Sequence, residues 1–180
     1  MHTVPDDALA PRMGLASAFS APVLSSGPAS DRFDVHRLVT TDGNRWSGPG
    51  EPTLYFAGDP GVALAEVGRH WDPGSGRQAL WEAQLTLSAA VDLRREEVRS
   101  AAGVPQDPRW FLDRGRCRDL AIRFRKAGCD GLIVPSVAFL DDLDRWNAVV
   151  FVDRAEPLDV VVRGARRVAE LAAFPSRDDD

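Results

Sequence analysis

The sequence predicts an α+β fold in which helices flank small mixed or antiparallel sheets. A chain of 180 residues suits one domain around a single core, and a content of 44% apolar residues is enough to build that core. Many short segments have strand patterns, few have helical patterns, and the two kinds do not alternate strictly. This irregular order favours α+β over a doubly wound parallel sheet.

Both ends of the chain lack the periodicity of a packed element. Residues 1–30 are rich in Ala, Pro, Ser and Gly, so we expect a flexible N-terminal arm with at most a short helix near residues 8–18. Residues 176–180 end in three aspartates and predict a disordered acidic tail. The folded domain is therefore predicted to cover residues 31–175.

The part up to residue 102 carries strand and helix patterns in turn. Β-branched and apolar residues indicate the first two strands, and alternation of apolar and polar residues indicates the third. Asp59 followed by Pro60 is typical of a helix start, with Asp as N-cap. The predicted elements are a strand at 33–39, a strand at 53–57, a helix from 59 to about 70, a strand at 79–87 that residues 91–93 extend or follow, and a helix at 94–102.

The rest of the chain begins with a second Asp-Pro pair, Asp107-Pro108, which again indicates a helix start. An apolar stripe supports this helix, and Gly128 suits its C-terminal end. Short apolar runs predict the strands that follow. The predicted elements are a helix from 107 to about 126, strands at 131–135, 148–152 and 158–162, and a final helix at 164–173.

Composition and charge exclude several classes of function. A net charge of −5 argues against direct nucleic-acid binding, although it leaves room for a local basic pocket. No apolar run approaches the roughly 20 residues of a membrane helix, and the first residues predict no secretory signal. The two cysteines and three histidines lack metal-ligand spacing. We therefore expect free thiols, no metal site, no membrane contact and a cytoplasmic location.

Two arginines are candidates for anion binding. Arg45 lies beside Trp46 in a turn-rich loop, where its guanidinium either forks onto a phosphate or stacks on Trp46 at the surface. Arg37 falls in the first predicted strand and would share a face with Val35 and Val39. That position favours a paired or functional arginine.

Tyr55 and Glu66 are candidates in the next two elements. Tyr55 would face away from Leu54 and Phe56, so it either lines a cleft, where it can stack on a flat ring and donate a hydrogen bond, or is an ordinary strand tyrosine. Glu66 lies among small and apolar residues of the predicted helix. A carboxylate there is costly unless it is paired or used, and the alternative is the polar face of a short amphipathic helix.

Ser136 follows a predicted buried strand and Pro135. A serine at a strand end can offer its hydroxyl to a ligand, and an ordinary turn serine is the alternative. We predict no serine nucleophile, because the chain lacks a GxSxG elbow. The dinucleotide motif GxGxxG and the phosphate loop GxxxxGK[ST] are absent too.

The order of these motifs over residues 33–152 resembles the RES domain family, which takes its name from an arginine, a glutamate and a serine. The family's usual core has a Gly-Gly-Arg-Trp-Asn loop, a glycine, a strand ending near a tyrosine, an Ala-Leu-Ala-x-x-Glu helix and a later Pro-Ser. The matching residues here are Arg37, Arg45-Trp46, Gly50, Tyr55, Ala63-Leu64-Ala65-Glu66, Pro135-Ser136 and the NAVVF run at 147–151. Asn44 and Ser47 replace the usual second glycine and asparagine, and Glu66 follows Ala65 without a gap.

The resemblance implies a fold similar to the diphtheria-toxin-like ADP-ribosyltransferases and an enzyme that degrades NAD. It implies cleavage of the nicotinamide–ribose bond by phosphate, as in a phosphorylase, or by water, as in a glycohydrolase. NAD is then the substrate, inorganic phosphate an optional co-substrate, and no separate cofactor is needed. Many relatives are toxins paired with an Xre-type helix-turn-helix antitoxin, so such a partner is expected here. A homodimer is left open.

Carried over by position, the resemblance also implies a role for seven residues. Glu66 would stabilise the oxocarbenium-like ribose, and the arginines would hold the pyrophosphate or the incoming phosphate. Tyr55 would pack on the nicotinamide, and Ser136 would hydrogen-bond the nicotinamide ribose or amide. The catalytic positions are Arg45, Tyr55, Glu66 and Ser136, and the substrate-binding positions are Arg37, Trp46 and Asn147.

Two other functions stay open at this point. The same site would serve an ADP-ribosyltransferase whose acceptor is a protein or a nucleic acid. The chain could instead be a non-catalytic module that binds a nucleotide or a partner protein, and the altered loop at Asn44 and Ser47 keeps this alternative open. Transfer of label from NAD to a large acceptor would identify the ADP-ribosyltransferase. NAD binding without nicotinamide release would identify the non-catalytic module.

Overall fold

A computed structural model describes residues 14–29, 32–70 and 77–171. In this part of the chain one sheet carries the fold, and short helices flank it. The strands are β1 (Ala16–Pro28), β2 (Thr53–Ala57), β3 (Gln78–Asp92), β4 (Gly131–Pro135), β5 (Trp146–Phe151) and β6 (Val162–Leu171). The α-helices are α1 (Pro60–His70), α2 (Glu96–Ala102), α3 (Arg114–Lys126) and α4 (Leu158–Val161), and 3-10 helices lie at Val35–Leu38 and Pro108–Leu112.

The strands are ordered β1-β2-β5-β4-β3-β6, and β1 also pairs with β3. The second pairing closes the first five strands into a ring, which β6 extends from the other edge of β3. Only β3 and β4 run parallel among these pairs; the other pairings are antiparallel. A mixed sheet with flanking helices confirms the predicted α+β class.

The buried residues form three apolar clusters around this sheet. One lies under α2 and α3 and contains Phe111 and Phe124. A second contains Leu54, Phe56 and Leu85, and a smaller third cluster lies under α1. Every residue of β4 is buried, which explains its short and wholly apolar sequence. Strands β2, β4 and β5 are therefore held firmly at the centre of the molecule.

The best-predicted elements are those that local sequence specifies. The strands at 53–57, 79–87, 131–135 and 148–152 and the helices at 59–70 and 94–102 are confirmed within a few residues. The start of α1 has the expected cap, because the Val62 N–H donates to Asp59 Oδ1 at 3.0 Å. Arg145 fixes the same carboxylate through a 2.8 Å bond. No helix among the described residues is long and apolar enough to cross a membrane.

The N-terminal arm predicted at residues 1–30 contains β1, so the flexible-arm prediction is wrong for residues 16–28. Strand β1 pairs with β3 over nearly its whole length, from Ala16 opposite Val91 to Pro28 opposite Gln78. Small and polar residues dominate β1, so its pairing with β3, rather than an apolar alternation of its own, holds it in place. Residues 16–18 of the short helix predicted near residues 8–18 belong to β1. Residues 8–13 of that prediction lie outside the described residues, as does the acidic tail.

The strand predicted at 33–39 is also wrong, because Val35–Leu38 is a 3-10 helix. Asp34 caps it by accepting a hydrogen bond from the His36 N–H at 3.0 Å. A 3-10 helix does not alternate faces, so Arg37 does not share a buried face with its neighbours and is exposed.

The helix predicted from 107 to 126 is divided into a 3-10 helix and α3. Two aspartates produce the break, since each caps the turn that follows it. Asp107 accepts from the Arg109 N–H at 2.9 Å, and Asp113 accepts from the Arg116 N–H at 3.1 Å. Residue 114 therefore becomes the first residue of a new helix.

The two C-terminal predictions are reversed. Residues 158–161 form the helix α4 instead of a strand, and Val162–Leu171 form β6 instead of a helix. Strand β6 pairs with the first half of β3, and Arg166 donates to Glu82 Oε1 at 2.6 and 3.0 Å across the pair. Pairing with a distant strand overrides the helical pattern of this segment.

Candidate functional site

A cavity of about 640 Å³ opens between β1, β2, α1 and the ends of β4 and β5. Its volume falls within the range typical of small-molecule and cofactor sites. Five of the seven residues that the sequence singled out line this cavity, namely Arg45, Trp46, Tyr55, Glu66 and Asn147. They come from one loop, two strands and one helix, so only the tertiary fold brings them together.

One side of the cavity, the loop wall, is formed by the loop at residues 43–51 together with Tyr55; within the loop, residues 44–46 line the cavity. Gly43 and Gly50 have φ angles of +79° and +82°, a backbone region that favours glycine. The loop is closed by the Asn44 N–H, which donates to the Ser47 carbonyl at 2.9 Å. Arg118 of α3 holds the loop from outside through a 2.7 Å bond from its Nε to the Asn44 carbonyl.

Arg45 is fixed by its contacts with the 3-10 helix at 108–112. Its Nη1 donates to the carbonyl of Phe111 at 2.7 Å and to that of Leu112 at 2.9 Å. One nitrogen of the guanidinium therefore fixes the loop wall to the 3-10 helix at 108–112, and the rest of the side chain borders the cavity. Trp46 is only 4% exposed, and its ring packs 6.2 Å from that of Phe111, so it mainly anchors the loop in the core.

Tyr55 points away from the core strand neighbours, as the alternation predicts. Leu54 and Phe56 lie in one buried cluster. Tyr55 instead packs against the cluster under α2 and α3 and reaches the cavity. Its hydroxyl shares a 3.2 Å hydrogen bond with the hydroxyl of Ser47. Burial raises the pKa of Tyr55 above its ordinary value, and the bond to Ser47 opposes the shift. The phenol therefore stays neutral at physiological pH and can donate a hydrogen bond.

The opposite side, the helix wall, is the cavity face of α1. Glu66 lies here beside Ala63 and Val67, with its side chain 34% exposed. Its nearest charge is Arg69, one turn further on, with Nη1 at 3.8 Å from Oε1. That separation exceeds a hydrogen bond, so the carboxylate is only loosely paired and remains accessible from the cavity.

Asn147 lies on β5 between β2 and β4, opposite Ala57 on one side and Val134 on the other. Ala57, Val134 and Pro135 line the same part of the cavity. The amide of Asn147 is thus a polar group on an otherwise apolar floor. Such an arrangement can orient a flat ligand through one or two hydrogen bonds.

Two predicted residues are not brought to the cavity wall. Ser136 is fully buried, and its Oγ accepts a hydrogen bond from the Ala138 N–H at 3.3 Å. It shapes the turn between Pro135 and Val137, which do line the cavity. Arg37 borders a separate hollow of about 30 Å³ near Phe33 and Trp81, so the structure does not place it with the other candidates.

Sequence reasoning missed two arginines on the cavity wall, Arg69 and Arg114. Arg69 could have been found, because a residue three positions after Glu66 lies on the same helix face. Arg114 could not, because its position depends on the break that makes it the first residue of α3. The charged residues of the lining are Arg45, Arg69 and Arg114 against Glu66, so this cavity is locally basic in a chain of net charge −5.

The two cysteines do not offer a nucleophile to the site. Cys117 and Cys129 are both free and buried. Burial raises the pKa of each thiol to about 11, so both remain protonated at neutral pH. Neither belongs to the cavity lining.

Comparison with known proteins identifies the relatives of this chain. A family model described as the RES domain matches residues 18–171. The fold is similar to that in the crystal structure of the M. tuberculosis MbcT–MbcA toxin–antitoxin complex, with a TM-score of 0.66 and 20% sequence identity over 91% of this chain and 93% of that chain. At this identity the likeness concerns the fold alone. No curated protein sequence matches the chain.

Proposed function

The chain belongs to the RES domain family, and on that premise we propose that it degrades NAD by cleaving the nicotinamide–ribose bond. The observation that carries the proposal is the cavity, which joins a guanidinium, a neutral phenol, a carboxylate and an amide from separate elements. The carboxylate and the phenol provide the polar chemistry that a ribose and a nicotinamide ring require. The acceptor of the ADP-ribosyl group is phosphate or water.

In the proposed reaction the glycosidic bond breaks with both electrons going to the pyridinium nitrogen. Nicotinamide then leaves as a neutral molecule, and positive charge develops on the ribose ring. An oxygen of phosphate or water forms the new bond to the ribose carbon that carried nicotinamide, and a proton is released when water is the acceptor. Because the leaving group is neutral, the reaction needs no strong general acid.

Glu66 is the residue assigned to the developing charge. A carboxylate close to the ribose stabilises the oxocarbenium-like state more than the ground state. Tyr55 would pack against the nicotinamide and donate a hydrogen bond, and Asn147 would hold its amide. Arg45 would orient the ligand from the loop wall. Ser136, which shapes the turn next to Pro135, is assigned a positioning role instead of contact with the substrate.

The test is to incubate the protein with NAD, with and without phosphate, and to measure free nicotinamide by chromatography. We expect nicotinamide release by the wild type and about a hundredfold loss in Glu66→Gln, equivalent to nearly 3 kcal/mol of transition-state stabilisation. Glu97→Gln is the matched control, because Glu97 is exposed and pairs with Arg95 away from the cavity. An equal rate in Glu66→Gln and the wild type would remove Glu66 from the mechanism.

We propose further that this chain is the toxin of a toxin–antitoxin pair, which the fold comparison supports, and that its antitoxin is of the Xre type that the family resemblance implies and blocks the cavity. Induced expression in bacteria should stop growth and lower cellular NAD, and Glu66→Gln should restore both. Growth arrest that persists in Glu66→Gln would contradict toxicity through NAD loss. Label transferred from NAD to a large acceptor would instead identify a macromolecular ADP-ribosyltransferase.

A further inference from the structure

The charge of the cavity wall is opposite to that of the whole chain. Three arginines and one glutamate line the cavity, which leaves two net positive charges there, whereas the chain has a net charge of −5. Local charge of this kind concentrates an anionic ligand at the site. A ligand with two negative charges would balance the wall.

The three arginines differ in how much of their bonding capacity is already used. Arg45 donates to two backbone carbonyls. Arg69 has Glu66 at 3.8 Å, beyond hydrogen-bond distance. The side chain of Arg114 makes no hydrogen bond or ion pair with any residue in the described ranges. Arg45 is thus tied to the protein through Nη1, whereas Arg69 and Arg114 have their whole guanidinium groups available to a ligand.

Exposed ion pairs contribute little to folding, so turning Arg69 away from Glu66 costs little. Arg69 and Arg114 also come from different elements, α1 and the start of α3, and both line the same cavity. Two guanidinium groups on the wall of one cavity can bind the oxygens of a pyrophosphate through forked, charge-assisted bonds.

We propose that Arg69 and Arg114, and not Arg37, form the pyrophosphate subsite of the cavity. This inference rests on the proposed function, because it takes NAD or a related nucleoside diphosphate sugar as the ligand. The connectivity of NAD supports the assignment: the ribose that carries nicotinamide is bonded directly to the pyrophosphate. Arg69 lies one helical turn from Glu66, the residue assigned to that ribose, and we therefore assign Arg69 to the neighbouring phosphate.

The first test compares NAD with nicotinamide riboside, which has the same scissile bond and no phosphate. In Arg69→Gln and in Arg114→Gln we expect kcat/KM for NAD to fall at least about tenfold relative to kcat/KM for the riboside. The ratio is the informative quantity, since Arg69→Gln also removes the contact with Glu66. The matched control is Arg116→Gln, because Arg116 lies on the same helix, pairs with Asp113 and does not line the cavity.

The second test measures binding of ADP-ribose by calorimetry, which needs no turnover. Wild type and Arg116→Gln should bind equally, and Arg69→Gln and Arg114→Gln should each bind about tenfold more weakly. Equal binding by all four proteins, or no binding by the wild type, would overturn the subsite. Loss of ADP-ribose binding in the two variants, together with no nicotinamide release by the wild type, would refute NAD cleavage and leave the subsite standing.

Discussion

The two walls of the cavity are built by different means. Hydrogen bonds hold the loop wall: Arg45 and Arg118 join it to the 3-10 helix at 108–112 and to α3, and Ser47 bonds to Tyr55 within it. The helix wall carries Glu66 and Arg69, which are 34% and 42% exposed and separated by 3.8 Å. We infer that the loop wall orients a ligand, whereas the helix wall supplies charges that can change partners when a ligand binds.

Removal of the Arg45 guanidinium should have the largest effect on stability, because it detaches the loop wall. Arg45→Ala deletes the charge-assisted bonds to the carbonyls of Phe111 and Leu112. We expect the free energy of unfolding to fall by about 2 kcal/mol and nicotinamide release to fall at least about tenfold. Urea denaturation measures the first quantity, and chromatography measures the second.

Arg109→Ala is the control, because Arg109 is exposed and pairs with Asp107 within its own turn. Such an exposed pair contributes little to stability. If Arg45→Ala were no less stable than Arg109→Ala, the loop wall would not depend on its anchor, and the contrast between the two walls would be lost.

The bond between Tyr55 and Ser47 should account for a smaller part of the rigidity of the loop wall. Tyr55→Phe and Ser47→Ala should each lower the free energy of unfolding by about 1 kcal/mol. The double variant should lose less than the sum of the two, since both changes remove the same 3.2 Å bond. A double-mutant cycle measured by urea denaturation gives the coupling; strict additivity would show that the hydroxyls do not interact.

The titration of Tyr55 offers a direct view of the same wall, because it is the only tyrosine in the chain. Its ultraviolet absorbance should report ionisation with a midpoint above the ordinary value of 10.0, since burial raises the pKa. The bond to Ser47 lowers this pKa, so Ser47→Ala should move the midpoint higher still.

The raised pKa of Tyr55 also determines how the stability of the protein changes with pH. A tyrosine with a raised pKa in the folded state binds its proton longer than in the unfolded chain, so its contribution is complete below pH 10 and is lost as the pH rises through the folded pKa. A midpoint at or below 10.0 would contradict the burial of the phenol. Denaturation of Tyr55→Phe over the same pH range supplies the control.

The smallest effect on stability is expected on the helix wall. Arg69→Gln should change the free energy of unfolding by less than about 0.5 kcal/mol, because the pair with Glu66 is long and exposed. Thermal unfolding of the variant beside Arg45→Ala makes the comparison. A large loss in Arg69→Gln would mean that α1 depends on this contact for its fold, and the helix wall would then be as rigid as the loop wall.

Much of the site follows from residues that local patterns select. The alternation in β2 separates Tyr55 from Leu54 and Phe56, and the Asp59-Pro60 start sets the phase of α1. Glu66 therefore falls on a predictable helix face. The resemblance to the RES domain family, confirmed by the family model, singled out the loop that carries Arg45. The individual patterns did not predict that these elements meet at one cavity. Only the family resemblance led us to expect it.

The two misplaced strands, β1 and β6, share one cause, which is a partner far away in sequence. Strand β1 is held by β3 across more than 60 residues, as the hydrogen bond between Ser20 and Thr86 illustrates, and β6 is held by the other edge of β3. Such errors are expected wherever pairing decides the conformation and local propensity is weak.

Local sequence was sufficient to specify the α+β class, the central strands, the start of α1 and some of the polar residues around the cavity, such as Tyr55 and Glu66, because caps and alternation act within a few residues of the chain. The tertiary structure alone decided which of those residues meet. Hydrogen bonds and burial between distant segments lock Arg45 to residues 111–112, bury Ser136 away from the cavity, and bring Arg69 and Arg114 to its wall. Those contacts depend on the closure of the sheet, which no short stretch of sequence contains.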